Sequence, residues 1–409
     1  MTETVTSAAY DVGGVLLERP FKVRRLGHVG YNCVRMDECV RFYTQLVGLR
    51  ISDTLDLSGR AERPEDIAGF GDPRGYFLRY GGDHHSFVLF NKRVREKIDK
   101  QRRFAPGVTV NQISWQVGSL EEVVRGYEWL EAGGHQIQRT GRDMPGSNWH
   151  TYFYDPDGHT NELFYGMEQI GWDGRSKPAP MHERGFRTAP ALPQISENDE
   201  VEQAATRGID LASGSAIRDG VATYEVEGIL LPRPFKVTKI GPVGLFVKDV
   251  DAATDFYRRT MGFELTEEAT WEGFRCMFLR ANTEHHSVAL YPVALRSHLG
   301  LPEDETTFGI GMQVGSYRQL RAARAFFAER GAPIVSLPSE LYPGIDYAFH
   351  VLDPDGHRLQ FSFAMEQIGW DGTPRPPELR RRVDPEAWPE AIDASADAYR
   401  GEIMLGPLG

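Results

Sequence analysis

Cysteine is scarce in this chain: three among 409 residues, Cys33, Cys39 and Cys276. They show neither paired metal-ligand spacing nor the density of a secreted disulfide scaffold, which is the usage of reduced thiols in a cytoplasmic protein. Basic runs are missing too. Lys and Arg number 46 against 58 Asp and Glu, for a net charge of -12. With no cations interleaved with aromatics to neutralise phosphates, nucleic acid is not an expected partner. No apolar stretch approaches the roughly 18 residues of a spanning helix, and the N-terminus lacks the basic and apolar regions of a signal peptide. The expectation is a soluble cytoplasmic protein with no membrane contact. What is present is core material: hydrophobic residues at 41% and aromatics at 11% suffice for two or more domains.

The chain contains itself twice. "VGGVLLERPFKV" from Val12 returns as "VEGILLPRPFKV" from Val226, "HHSFVLF" from His84 as "HHSVALY" from His285, and "MEQIGWDGRSKP" from Met167 as "MEQIGWDGTPRP" from Met365. A repeat this long is a duplicated domain, with halves at 12–180 and 226–378. Residues 181–225, rich in Pro, Ala, Ser and acids, read as a linker with one short helix, and 379–409 as an acidic, Pro-rich surface tail.

Each half divides again into a strand, a helix and a three-strand meander. "LGHVGYNCV" alternates like a strand, and Asp37 precedes a helix with Val40, Tyr43 and Val47 on one face, stopped by Gly48. Ala253, Tyr257 and Met261 before Gly262 repeat this in the third module. In the second and fourth modules Ser119 with Glu122, and Ser316 with Gln319, form capping boxes, and Gly133 and Gly331 end the helices. The meanders close on "DPDG" turns at Asp155 and Asp353. The fold class is α+β: four βαβββ modules in two tandem halves, with curved, barrel-like sheets.

Alternate strand residues share a face, so His28 stands with Gly30 and Asn32, Gln112 with Ser114 and Gln116, and Glu162 with Thr160 and Phe164. Polar side chains on a buried face need partners or a ligand.

The phrases "LGHVGYNCVRMDECVRFYTQLVGLRI", "DHHSFVLF", "VNQISWQVGSLEEVVRGYEWL" and "HTYFYDPDGHTNELF", in that order, resemble the vicinal-oxygen-chelate superfamily (glyoxalases, bleomycin resistance proteins and dioxygenases), most closely its type I extradiol ring-cleavage dioxygenases. The resemblance covers both halves. It implies a site in which two histidines and a glutamate hold Fe(II) and leave positions open for a catechol and dioxygen. By that resemblance the ligands fall on His28, Gln112 and Glu162. Gln112 stands where the dioxygenases have histidine, so it is either an amide ligand, as in some glyoxalases of the superfamily, or a core residue fixing its neighbours. His85 falls on the position of a proton-shuttling histidine. Its repeat, His286, leaves open a structural hydrogen bond common to both halves. Tyr152 falls on the tyrosine that holds the substrate oxygen, His150 shares its face, and Asp143 replaces a further histidine at the substrate.

In the second half the matching positions are Pro242, Gly309 and Gln360, so the metal is expected in the first half alone, the reverse of the usual two-domain order. The second half reads as scaffold whose cavity could take an apolar group. His159 and His357 read as exposed turn residues, and Trp172 and Trp370 as packing on a sheet edge. Three functions stay open: an Fe(II) extradiol dioxygenase, with a small aromatic substrate and dioxygen as partners and a homo-oligomer allowed; a non-oxidative isomerase or lyase using the ion as Lewis acid; and a binding protein without turnover. The ligand types also admit Mn, Zn or Ni.

Overall fold

Strand alternation in each half resolves into one eight-stranded mixed sheet, and the two sheets share one strand order. The computed structural model describes residues 9–99, 107–142, 144–146, 148–171, 173–182, 192–217, 220–369, 371–381, 383–384 and 387–392. From edge to edge the first sheet runs Arg50–Asp56, Arg74–Arg79, Phe87–Asn91, Arg25–Cys33, Val110–Gln116, Thr160–Tyr165, Trp149–Tyr154, Ile137–Gly141. The second runs Glu264–Trp271, Phe274–Arg280, Val288–Pro292, Val237–Val247, Thr307–Val314, Arg358–Ser362, Ala348–Leu352, Ile334–Val335. Each sheet is two four-strand modules joined through their first strands, which pair antiparallel. The expected α+β class and curved sheets are the observed ones.

Register fixes the equivalence of the halves. Val29 pairs with Phe87 and Ile113, as Val243 pairs with Val288 and Ile310. Ile113 pairs with Asn161, as Ile310 pairs with Leu359. His28, Gln112 and Glu162 therefore superimpose on Pro242, Gly309 and Gln360.

The expected helices form, with two differences. Met36–Arg41 runs into a π-helical turn, Phe42–Val47, as Val250–Asp255 runs into Phe256–Thr260. Asp37 lies inside the first turn, where its charge meets the positive helix end, and is not the cap. Ser119 and Ser316 do cap, accepting from the amides of Glu122 and Gln319. The return half of each capping box is replaced: Glu122 Oε2 accepts from the Lys22 amide at 2.8 Å, and Gln319 Oε1 from the Lys236 amide at 3.0 Å. This accounts for the duplicated "RPFK" phrase. Its arginines cross between halves. Arg233 lies over Gly48 and donates to Gln45 O at 3.2 Å, while Arg19 lies over Gly262. Both glycines have φ in the left-handed region, at 93° and 79°, and a Cβ at either would strike the guanidinium.

The "DPDG" turns make the second reciprocal lock. Tyr43 donates to Asp353 Oδ2 at 3.0 Å and Tyr257 to Asp155 Oδ2 at 3.3 Å. The backbone amides of Val34 and Lys248 donate to Asp355 and Asp157. His159 and His357 are consequently not exposed turn residues. They are 1% and 3% exposed, each with Nδ1 on the first aspartate of its own turn, at 2.8 and 3.0 Å. The main apolar cluster runs through both halves without a break: Trp115 meets Phe263 edge-on at 4.8 Å, and Phe42 packs on Phe327.

The linker holds the expected helix, Glu197–Thr206, plus a four-residue turn, Ala179–His182. Glu200 of that helix forms a buried ion pair with Arg142. The tail differs from a surface arm as far as it is described. Arg380 pairs with Glu267, Tyr317 donates to Pro389 O at 2.6 Å, and Trp388 packs on Tyr347, because these groups offer the second half apolar and charge-paired cover. Trp172 and Trp370 lie outside the described residues. Among the described residues no helix is long and apolar enough to cross a membrane.

Candidate metal and active site

Four neighbouring strands build the site. Ser114 is the register partner of both His28 and Glu162, and Tyr152 is the next partner beyond Glu162, so the four form a row across the sheet. Gln112 is one alternation away, opposite Gly30. His28 and Glu162 are fully buried, and His28 Nε2 stands 2.9 Å from Glu162 Oε2. That approach lacks hydrogen-bond alignment, and neither ring nitrogen of His28 has a hydrogen-bond partner among the described residues. Glu162 also accepts from Ser114 Oγ, from Asn148 Nδ2 at 3.0 Å and from Gln112 Nε2 at 3.4 Å. Burial pushes its carboxyl toward the neutral form, but the nearby His28 and His150 and the Ser114 hydroxyl outweigh burial and hold it below the usual range.

His85 lays its ring against His28, centroids 4.4 Å apart, and its Nδ1 meets Nδ1 of His84 at 3.1 Å. Burial, then the proximity of His28, His84 and His150, push the His85 imidazole well below its ordinary range, so it is neutral. The second half repeats this pair: His285 and His286 approach through Nδ1 at the same 3.1 Å. A Pro-Gly turn covers each pair. A Cβ at Gly146 would stand 2.9 Å from Nδ1 of both His84 and His85, and Gly344 lies as close on His285. Only in the first half does the pair face another histidine.

His150 is buried with Nδ1 3.9 Å from Glu162 Oε1, and its ring tilts over Tyr152 at 4.7 Å. The Arg139 guanidinium lies 4.6 Å from the Tyr152 ring centre. The structure thus brings His28, Gln112, Glu162, His85, His150 and Tyr152 together; Asp143 lies outside the described residues. Sequence reading missed Asn148, whose loop position has no periodicity to betray it. Ser114 was visible only as a face-mate of Gln112.

The donor set fits a divalent ion. Two ligand atoms each about 2.1 Å from one ion at a right angle stand about 3 Å apart. The His28–Glu162 separation of 2.9 Å matches that spacing, with one imidazole nitrogen and one carboxylate oxygen as the two donors. Gln112 offers a third donor once a half-turn of its amide exchanges Nε2 for Oε1. Among the described residues, the one cluster of three His, Cys, Asp or Glu side chains at ligand spacing is Cys33, Cys39 and Asp355. Burial raises both thiols, and Asp355 is already engaged by the Val34 and Arg35 amides, so this cluster is packing.

In the second half Gln360 is bound to His350 at 3.2 Å, and the barrel is plugged: Tyr291 stacks on Phe308 at 4.0 Å with Arg358 over the same ring. Aromatic side chains thus pack the interior where room for an apolar group was expected.

A family model described as Glyoxalase/Bleomycin resistance protein/Dioxygenase superfamily matches residues 25–163 and 239–361. The chain is 29% identical over 148 residues to metapyrocatechase 2 of Cupriavidus necator, covering 36% of this chain and 38% of that protein. The chain spans less than half the length of the curated relatives it matches. Among solved structures, the 2,3-dioxygenase LapB from Pseudomonas sp. KL28 aligns with TM-score 0.55 at 14% identity, over 87% of this chain and 96% of that one. The Mn(II)-bound glyoxalase from Novosphingobium aromaticivorans aligns with TM-score 0.52 at 15% identity, over 87% and 89%. At these identities the solved structures establish a shared fold.

Proposed function

The chain belongs to the glyoxalase/bleomycin resistance protein/dioxygenase superfamily, and from that premise we propose that it is a metal-dependent, extradiol-type dioxygenase that opens the ring of a catechol-like aromatic. The observation that carries this reading is the fully buried convergence of His28 Nε2 and Glu162 Oε2 at 2.9 Å, a spacing at which both can ligate one ion. His28, Glu162 and Gln112 would hold the ion, Fe(II) in this reading, with Mn, Zn or Ni compatible with the same donors. Such an ion would supply Lewis-acid and redox chemistry to the catechol and dioxygen.

The protein groups then have distinct tasks. Ser114 and Asn148 fix the Glu162 carboxylate by hydrogen bonds, so its orientation is set before substrate arrives. His85 is neutral, and in the tautomer whose Nδ1 donates to His84 its Nε2 lone pair would take a proton from a substrate hydroxyl and return it as the ring opens. Tyr152 and His150 flank Glu162 and would hold the substrate oxygen, with Asp143 assigned beside them by resemblance alone. Both atoms of dioxygen enter the product as one ring carbon–carbon bond breaks, so no external reductant is needed.

Gln112 favours a second reading, in which the ion acts only as Lewis acid for an isomerisation or lyase reaction. Oxygen uptake separates the two. Protein reconstituted with Fe(II) and given catechol should consume about one dioxygen per ring opened. Turnover of a catechol without oxygen uptake, or full metal loading with no attack on any catechol tried, would remove the dioxygenase reading.

A further inference from the structure

The two halves provide an internal control for the barrel interior. Beyond the plug of the second half, Phe246 and Phe308 meet edge-on at 6.0 Å and belong to one apolar cluster with Phe278, Ala289 and Tyr291. By register their counterparts in the first half are Asn32 and Asn111, and Arg358 is replaced by Thr160. Both positions are reached through the same irregularity, where Asn111 and Phe308 bulge from the ladder between Gly30 and Tyr31 or Gly244 and Leu245. At these three positions the first barrel has two amides and a threonine where the second has two phenyl rings and an arginine.

The amide orientations are determined by their bonds. Asn32 Nδ2 donates to the carbonyls of Val108 and Val110 at 3.3 and 3.5 Å, which turns Asn32 Oδ1 toward Asn111. Asn111 Nδ2 donates to that oxygen at 2.8 Å. Asn111 Oδ1 is then left buried, on a side chain only 2% exposed, with no hydrogen-bond partner among the described residues. Flipping the amide would not cure this, because it would set oxygen against oxygen. An unmet buried acceptor is unfavourable until a donor reaches it. Asn111 lies beside Gln112 on one strand; its partner Asn32 pairs in register with Phe90, and Phe77 bridges the Phe90 ring, at 6.0 Å, to His85, at 5.1 Å.

We propose that Asn111 is a specificity residue: its Oδ1 accepts a hydrogen bond from a hydroxyl or N–H on the arm of the substrate remote from His28 and Glu162. The substrate class is then a catechol bearing a side arm that ends in a hydrogen-bond donor, rather than a plain alkyl or unsubstituted catechol. This rests on the catechol reading above. It follows from general binding physics that a site with a buried acceptor rejects the analogue lacking the donor, because the acceptor is left unpaired in that complex.

The test is anaerobic binding of matched catechols, substituted at ring position 3 or 4 with a hydroxyalkyl arm or with the alkyl arm of equal length, to the Fe(II)-reconstituted protein. The expected result is that at least one hydroxyl-bearing member binds roughly tenfold or more tighter than its alkyl match, the worth of one hydrogen bond to a buried acceptor. Asn111→Leu, close in volume, should collapse that ratio to near one. Asn111→Asp, which keeps an acceptor, should preserve a ratio above one even if it folds less stably. No discrimination in any pair, or discrimination that survives Asn111→Leu, overturns the proposal while leaving catechol binding intact. Failure of every catechol to bind removes the parent reading instead.

Discussion

His85 packs its ring against His28 at 4.4 Å, whereas in the half that holds its repeat, His286, the register position of His28 is Pro242. The paired histidines themselves are alike in the two halves, with the same Nδ1 approach and the same Pro-Gly cover. A purely structural task would therefore weigh equally on both. The account assigns His85 an added proton transfer. His85→Ala should retain the metal and slow turnover by roughly 10² to 10⁴, the usual worth of a positioned acid or base. His286→Ala should leave turnover nearly intact while lowering the melting temperature about as much. Steady-state kinetics beside thermal denaturation decide it, and equal losses of activity would make both histidines structural.

Gln112 is half-buried and its hydrogen bond to Glu162 is long, at 3.4 Å. If its amide oxygen ligates, Gln112→His should be accommodated on the same strand and the Fe(II) dissociation constant should fall, imidazole being the better donor. If Gln112 is a packing residue, the ring would strain the core and unpair a polar group, each on the order of 1–3 kcal/mol. Weaker iron binding with a lower melting temperature would remove Gln112 from the ligand set.

His357 gives a pH dependence to the joint between halves. Burial alone would lower its pKa, but the charge and hydrogen bond of Asp353, with Glu305 and Asp355 nearby, outweigh burial and push it up to about 9. An unfolded histidine titrates near 6.5. The folded value is the higher one, so this stabilisation is complete below about pH 6.5 and is lost as pH rises through 9. Urea midpoints should fall between pH 6.5 and 9.5 or so, and the fall should flatten in His357→Gln. A midpoint equally pH-dependent in the variant would assign the effect elsewhere.

Much of this was legible in the sequence because it is periodic. Alternation alone aligned Gln112 with Ser114, repeat matching paired His28 with Pro242, and Ser119 and Ser316 announced their helices. What sequence hid was mostly reciprocal contact between halves. His159 and His357 follow turn signatures and so looked exposed, yet the other half buries them. The "RPFK" phrase marked the repeat but not its purpose, which lies in Arg19 and Arg233 crossing to the glycines of the opposite halves. Asn148 escaped because loops carry no period. Asn111 escaped because a bulge breaks the alternation by which its face would have been read.

The account stands or falls on a single metal site in the first half. Elemental analysis of anaerobically purified protein, beside His28→Ala and Glu162→Ala, tests this directly, since an open site has too few ligands to lose one. About one divalent ion per chain in the wild type and close to none in either variant is the predicted result. Two ions per chain, or wild-type metal content retained in both variants, would contradict it.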